Sequence, residues 1–249
     1  MVQITSTLSF LLACSTLSVA APIVARTAAP KRLLNWNTWT PPALEKTQYF
    51  QPTIRTMAET TGQNFQFAQN FAQANPGAIV HTFNEPELNG ISPQAAADAW
   101  NTILAPMRAS TGCKLVSPGI TNTQASVDWL NEFFGKITSQ PDFLGLHFYD
   151  KVPDNLQSWL EARHGEHPFP IILSEIASTS TDQGTVDSMT KTWANYMDGA
   201  DIVHQYAFFG AMPVLPNDGG FIPTTTLLMN SSGDWKPLLK ELVSSSPMQ

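Results

Sequence analysis

The chain has 249 residues, with 13 Lys and Arg against 20 Asp and Glu and a formal net charge of −7. Charged residues are only 13% of it and are scattered, which excludes a phosphate-backbone ligand, since binding nucleic acid needs clustered Lys and Arg. No nucleic-acid partner is expected, and a neutral one suits this surface. At the front, residues 8–20 are apolar or small, and no charge precedes Arg26. The run is shorter than the roughly 20 residues that span a bilayer, and Ser18-Val19-Ala20 offers the small residues a signal peptidase accepts. The expectation is a signal peptide at 1–20, a short Ala- and Pro-containing leader at 21–30 and one domain at 31–249. The protein is then secreted, extracellular or in the cell wall, with no membrane span, and acts as a monomer. Cys14 leaves with the signal, so Cys113, beside Leu115-Val116, reads as a lone, buried and inert thiol. Asn230-Ser231-Ser232 is the one acceptor sequence for N-glycosylation.

From residue 78 onward the chain has a rhythm. Apolar, β-rich runs occur at Ala78–Phe83, Lys114–Ser117, Phe143–Phe148, Pro170–Leu173 and Ile202–Phe209. Helical periodicity fills gaps at Ala95–Met107 (after Ser92-Pro93), Val127–Ile137 and Val186–Met197. Strands recur roughly every 30 residues, the size of one βαβ unit, which implies a parallel sheet covered by helices. A closed (β/α)8 barrel and an open doubly wound sheet both fit that alternation. No Gly-rich phosphate loop is present, and no cofactor is expected. Polar or aromatic residues stand at or just beyond several strand ends: Asn84 and Glu85, His147 and Tyr149, Glu175, and Phe209. A site spread over many strand ends favours the barrel mouth.

Two strand-end carboxylates carry the chemistry. Glu85 follows the run Ala78–Phe83, and Glu175 stands where Ile171–Leu173 runs out. Paired carboxyl groups cut glycosidic bonds, one protonating the leaving oxygen and the other attacking the anomeric carbon or activating water. A spacing of about 5–5.5 Å predicts retention, and roughly 6.5–9.5 Å predicts inversion. Asn84 is placed to donate to a sugar hydroxyl, and Pro86 is expected to bias Glu85 toward an extended backbone. Glu87 is the rival acid, read as a loop or helix-start residue. His147 and Tyr149 share a strand face; His147 either positions a carboxylate or sugar or is a structural histidine. Trp36, Trp39, Tyr149, Phe208 and Phe209 are candidate stacking platforms, with Trp36 and Tyr149 preferred.

Phe83-Asn84-Glu85-Pro86-Glu87, Leu115-Val116-Ser117-Pro118, Trp129-Leu130, Phe143 through Tyr149, Ile172-Leu173-Ser174-Glu175 and Tyr206 through Gly210 follow one another in the chain. This ordered series resembles glycoside hydrolase family 128 over roughly residues 78 to 245. The resemblance implies a secreted β-1,3-glucanase of the retaining (β/α)8 clan, with β-glucan as partner, Glu85 as general acid/base and Glu175 as nucleophile. That division requires Glu85 protonated and Glu175 ionised at rest. Ser174-Glu175-Ile176 stands where Thr-Glu-Phe is usual, and Phe148 where Trp is common.

The front departs further. Residues 31–37, with Trp36-Asn37 where Tyr-Asn is usual, resemble a first strand, and Phe50–Ile54 a third. About a dozen residues separate them, too few for a helix and a second strand. The barrel is therefore expected to be trimmed or incomplete in its first three βα units, by nature or through a missing internal segment. A cell-wall glucan-binding protein without hydrolysis is the alternative on the same fold. A metal-dependent hydrolase using His81, His147, His204 and Glu175 is the weaker rival, since no closely spaced ligand motif occurs, and no metal site is expected.

Overall fold

The computed structural model describes residues 23–24, 33–34, 36–40, 50–216 and 220–244. The signal-peptide reading of 1–20 lies outside them. Five strands form over the expected runs: β5 (Ile79–Asn84), β6 (Lys114–Gly119), β7 (Leu144–Asp150), β8 (Ile171–Ser178), which continues five residues beyond its expected end and takes in Glu175, and β9 (Val203–Phe208). Four two-residue strands precede them: β1 (Ile23–Val24), β2 (Leu33–Leu34), β3 (Phe50–Gln51) and β4 (Thr53–Ile54).

The protein is an α/β fold of parallel sheets and helices, with one six-stranded sheet ordered β3-β2-β1-β9-β8-β7 and one three-stranded sheet ordered β4-β5-β6. Among the described residues the pairing does not make one closed cylinder of eight parallel strands. Between β6 and β7 the ladder is reduced to the isolated bridges Val116↔Phe143 and Ile120↔Leu146. Between β3 and β4 stands Pro52, which has no N–H for a ladder; its carbonyl accepts from His81 N–H at 2.9 Å. The expected gap at the front has a definite form. β2 pairs directly and in parallel with β3, while β1, two residues of the stretch read as a leader, lies antiparallel to both β2 and β9.

Helices cover the strands, over the three segments read from periodicity and elsewhere. α1 spans Gly62–Ala74 and packs Ala68, Phe71 and Ala72 inward. α2 (Pro93–Ala99) and α3 (Ala105–Thr111) are joined by a π-helical turn at Trp100–Leu104. Pro106 lies just beyond it and has no N–H to return to the preceding turn, which favours the wider winding. α4 (Gln124–Phe134), α5 (Asn155–Glu166), α6 (Gln183–Gly199) and α7 (Pro237–Leu242) complete the cover. Ser92, Thr123 and Asp182 cap α2, α4 and α6, each side-chain oxygen accepting an N–H three residues on. The large core holds Trp100, Trp193, Phe83, Phe133 and Phe148 between strands and helices. Cys113 is buried within it, and burial pushes its thiol up, as an inert cysteine requires. Among the described residues, no helix is long and apolar enough to cross a membrane.

Candidate active site

The residue just after β5 and residues within β7 and β8 bring three ionisable groups together. Glu85 Oε1 lies 2.9 Å from His147 Nδ1, and Glu175 Oε2 lies 3.6 Å from the same nitrogen. One side-chain N or O atom of each residue falls within 4.8 Å of the others, so the two carboxylates, 90 positions apart in sequence, meet around His147.

Glu85 reaches this place through a backbone turn different from the extended one expected before proline. Its φ is +44°, in the left-handed region. The neighbours over-determine it. Glu85 N–H donates to Gly119 O at 2.8 Å, and its carbonyl accepts from Leu88 N–H, Asn89 N–H and Asn89 Nδ2, each at 3.0 Å. Hydrogen bonding thus outweighs the local preference set by Pro86, and strain of this kind persists only where surrounding contacts enforce it. Glu87 turns away to accept Thr121 N–H at 2.9 Å, which ties the turn after β5 to the end of β6.

Glu175 is 6% exposed and held by two donors, Trp36 Nε1 at 2.5 Å on Oε1 and Tyr149 Oη at 2.6 Å on Oε2. Trp36 also has a positive φ, +53°. His147 is buried against Gly119, where an added methyl would come 2.9 Å from Nε2. Its Nε2 lies 2.9 Å from Ser174 Oγ, a contact the sequence reading did not foresee. A bulge explains it. Leu146 pairs with Leu173 but His147 pairs with Glu175, so one extra residue of β8, Ser174, sits opposite the same stretch of β7. Consecutive residues that would otherwise point to opposite faces can both reach one imidazole.

The electrostatics follow from these contacts. Burial disfavours the His147 cation, but Glu175 and Glu85, with Glu87 beyond them, outweigh it and push its pKa up to about 9. Burial alone would raise Glu85; the hydrogen bond and charge of His147 bring its carboxyl below the usual range. Burial raises Glu175 and Glu85 adds to it, against His147, Tyr149 and Trp36. The two shifts thus run opposite to the division expected from the sequence, Glu85 downward and Glu175 upward, because His147 Nδ1 lies 2.9 Å from Glu85 and 3.6 Å from Glu175.

The other expected residues divide. Asn84, Trp36, His147 and Ser174 line one cavity of about 10 Å³ with His81, Thr53 and Ser117. Phe209 is buried rather than an open platform, with its ring 5.9 Å from Trp36 and 6.0 Å from Tyr149. Asn37 is placed through its backbone, its carbonyl accepting Thr53 N–H at 2.9 Å. Phe221, missed in the sequence because it follows no strand, is 60% exposed and sets its ring 5.6 Å from Tyr149. Asn230 lies at an exposed turn, where its Oδ1 accepts from Ser232 Oγ and Asp234 N–H. The four-residue metal set does not assemble. His81 bonds to Gln51 at 2.9 Å and His204 stacks on Phe143 at 4.5 Å, while Glu85, His147 and Glu175 form a different triad.

A helix-covered parallel-strand fold with two convergent strand-end carboxylates defines a glycosidase type of site. Residues 25–241 match the glycosyl hydrolase catalytic core family. Among solved structures, a subgroup VI exo-β-1,3-glucanase of family GH128 from Aureobasidium namibiae is 36% identical, with 87% of this chain and 86% of that one covered and a TM-score of 0.80. A subgroup V exo-β-1,3-glucanase from Cryptococcus neoformans is 26% identical over 84% of this chain and 86% of that one, with a TM-score of 0.66. A subgroup IV endo-β-1,3-glucanase from Lentinula edodes, 23% identical over 84% and 87%, shares the fold at a TM-score of 0.69. No curated protein matches the chain. The chain belongs to glycoside hydrolase family 128.

Proposed function

We propose that this protein hydrolyses β-1,3-glucan with retention of configuration, Glu175 acting as nucleophile and Glu85 as general acid/base. One observation carries the reading: a carboxylate oxygen of Glu85 and one of Glu175 lie within 4.8 Å of each other, close enough for one to attack a sugar carbon while the other protonates its leaving oxygen. Trp36 and Tyr149 aim two donors at the Glu175 carboxylate, which suits an anionic attacking group. Glu175 attacks the anomeric carbon while Glu85 protonates the departing oxygen; Glu85 then takes a proton from the water that releases the sugar. The substrate class rests on the similarity to the Aureobasidium namibiae exo-β-1,3-glucanase. Asn84 then faces a sugar hydroxyl, and Trp36, Tyr149 and the exposed Phe221 offer apolar faces to pyranose rings, with Phe209 as their backing.

The finer architecture we infer is a (β/α)8 barrel altered at the front. Supporting it are the β6–β7 bridges and the chain's direct passage from β3 to β4 through Pro52, with the antiparallel β1 occupying the place between β9 and β2. Secretion as a monomer, with cleavage after Ala20 and a glycan on Asn230, belongs to the same reading; the apolar run at 8–20 and the exposed Asn230 turn support it. Mass spectrometry of protein from the culture medium, before and after deglycosylation, checks both modifications.

The deciding experiment compares wild type with Glu175→Gln on laminarin-type oligosaccharides. Wild type should release reducing ends whose first-formed anomer is β by NMR, and Glu175→Gln should bind the oligosaccharides without releasing any. Release by Glu175→Gln at the wild-type rate, or an α first product, overturns the assignment. Binding by wild type with no release instead supports the glucan-binding alternative.

A further inference from the structure

The retaining reading leaves a problem of proton inventory. Glu85 must hold a proton in the first half-reaction and lack one in the second. At rest its nearest proton is on His147 Nδ1, 2.9 Å from Oε1. Other titratable groups that act on this imidazole are Glu87 after β5, His81 on β5 and Glu175 on β8, and Tyr149 on β7 donates to Glu175. None of them contacts Nε2. That nitrogen meets Ser174 Oγ at 2.9 Å, in a position produced by the β8 bulge.

We propose that Ser174 is a positioning residue whose buried hydroxyl holds His147 in register with Glu85 while a proton moves between Nδ1 and Oε1. The inference rests on the two-carboxylate reading above. A hydroxyl suits this task because it both donates and accepts. When His147 is doubly protonated and Glu85 ionised, Nε2–H donates to Ser174 Oγ. When the Nδ1 proton passes to Glu85 Oε1, Nε2–H still donates to the same oxygen. If the pair loses that proton, Nδ1–H faces the carboxylate, and the Ser174 hydroxyl turns to donate to Nε2. Through all three states the ring keeps both partners. The bookkeeping closes: the proton delivered from Nδ1 through Glu85 to the departing oxygen is replaced by one from the attacking water. His147 and Glu85 end the cycle with the protons they began with.

Removing the hydroxyl leaves the buried Nε2–H without an acceptor and disfavours the protonated pair. The alkaline limb of kcat/KM should then move about one pH unit toward acid in Ser174→Ala, the size expected for one hydrogen bond to a charged group. KM should change little, and Ser174→Thr should restore the wild-type limb. Should Ser174→Ala fail to fold, the near-isosteric pair Ser174→Thr and Ser174→Val carries the same comparison. In parallel, NMR titration of the His147 imidazole, without substrate, should show the same acid-ward displacement. A limb and titration unchanged in the folded hydroxyl-free variant, or no recovery with Ser174→Thr, overturns the proposal. If wild type releases no sugar, the function reading fails on its own, and the NMR titration still decides whether Ser174 governs His147.

Discussion

His81 on β5 and His147 on β7 line the same internal cavity, and both are almost wholly buried. Their pKa values nevertheless separate to about 3 and about 9. Around His81 lie neutral amides: Gln51 Oε1 at 2.9 Å, with Gln51 bonded in turn to Gln205 on β9 at 3.2 Å. Around His147 lie Glu85, Glu175 and Ser174. Desolvation is the largest influence on both, so burial alone cannot distinguish them. The sign is set by which charge is near: the carboxylates raise His147, whereas His81 has no carboxylate partner and the charge of His147 lowers it further. One cluster is thereby arranged to hold a charge and exchange protons, and the other to fill the interior with satisfied polar groups.

The largest expected break in this contrast comes from the acidic cluster. Glu85→Gln should lower kcat on oligosaccharides by about 10²–10⁴-fold, the usual worth of a general acid, with the fold unchanged by circular dichroism. Tyr149→Phe removes the hydroxyl donating to Glu175 Oε2 and should cost about 10- to 100-fold in kcat with little change in KM. A purely substrate-binding Tyr149 would raise KM instead. Gly119→Ala sharpens the contrast by sterics: the added methyl at 2.9 Å from His147 Nε2 forces the ring to move. Overpacking of this kind costs about 1–3 kcal/mol, readable by urea unfolding.

These tests depend on residues of unequal visibility in the sequence. Glu85 and Glu175 were legible because each follows a continuous apolar run, although β8 continues past Glu175 to Ser178, and β5 through β9 were legible because their cores are continuous β-rich runs. Three helices carried a readable apolar stripe. α5 did not, since it buries only Leu156 and Leu160 over twelve residues. The front was legible only as too short; that Ile23–Val24 pair antiparallel to β9 is a long-range choice with no local signature. Ser174 was hidden for a different reason. Strict alternation along β8 assigns it and Glu175 to opposite faces, and only the bulge in pairing with β7 brings both to His147. Phe221 sits in a loop, where only folding places it beside Tyr149.

The smallest expected effect tests whether the two histidine clusters are independent. His81 stays neutral in the folded protein down to about pH 3, while the unfolded chain binds its proton near 6.5. Its contribution to stability is present above pH 6.5 and is lost as pH falls from there toward 3. His147 works in the opposite sense. With its pKa raised from 6.5 to about 9, its contribution is complete below 6.5 and is lost as pH rises through 9. His81→Gln removes one titration and leaves an amide facing Gln51. Its melting temperature should therefore flatten on the acid side alone, and hydrolysis at pH 7 should stay within about twofold of wild type, as for sites that do not share partners. Flattening on the alkaline side, or a tenfold loss of activity, would mean that the charge of His147, already felt at His81, binds both clusters into one titrating unit.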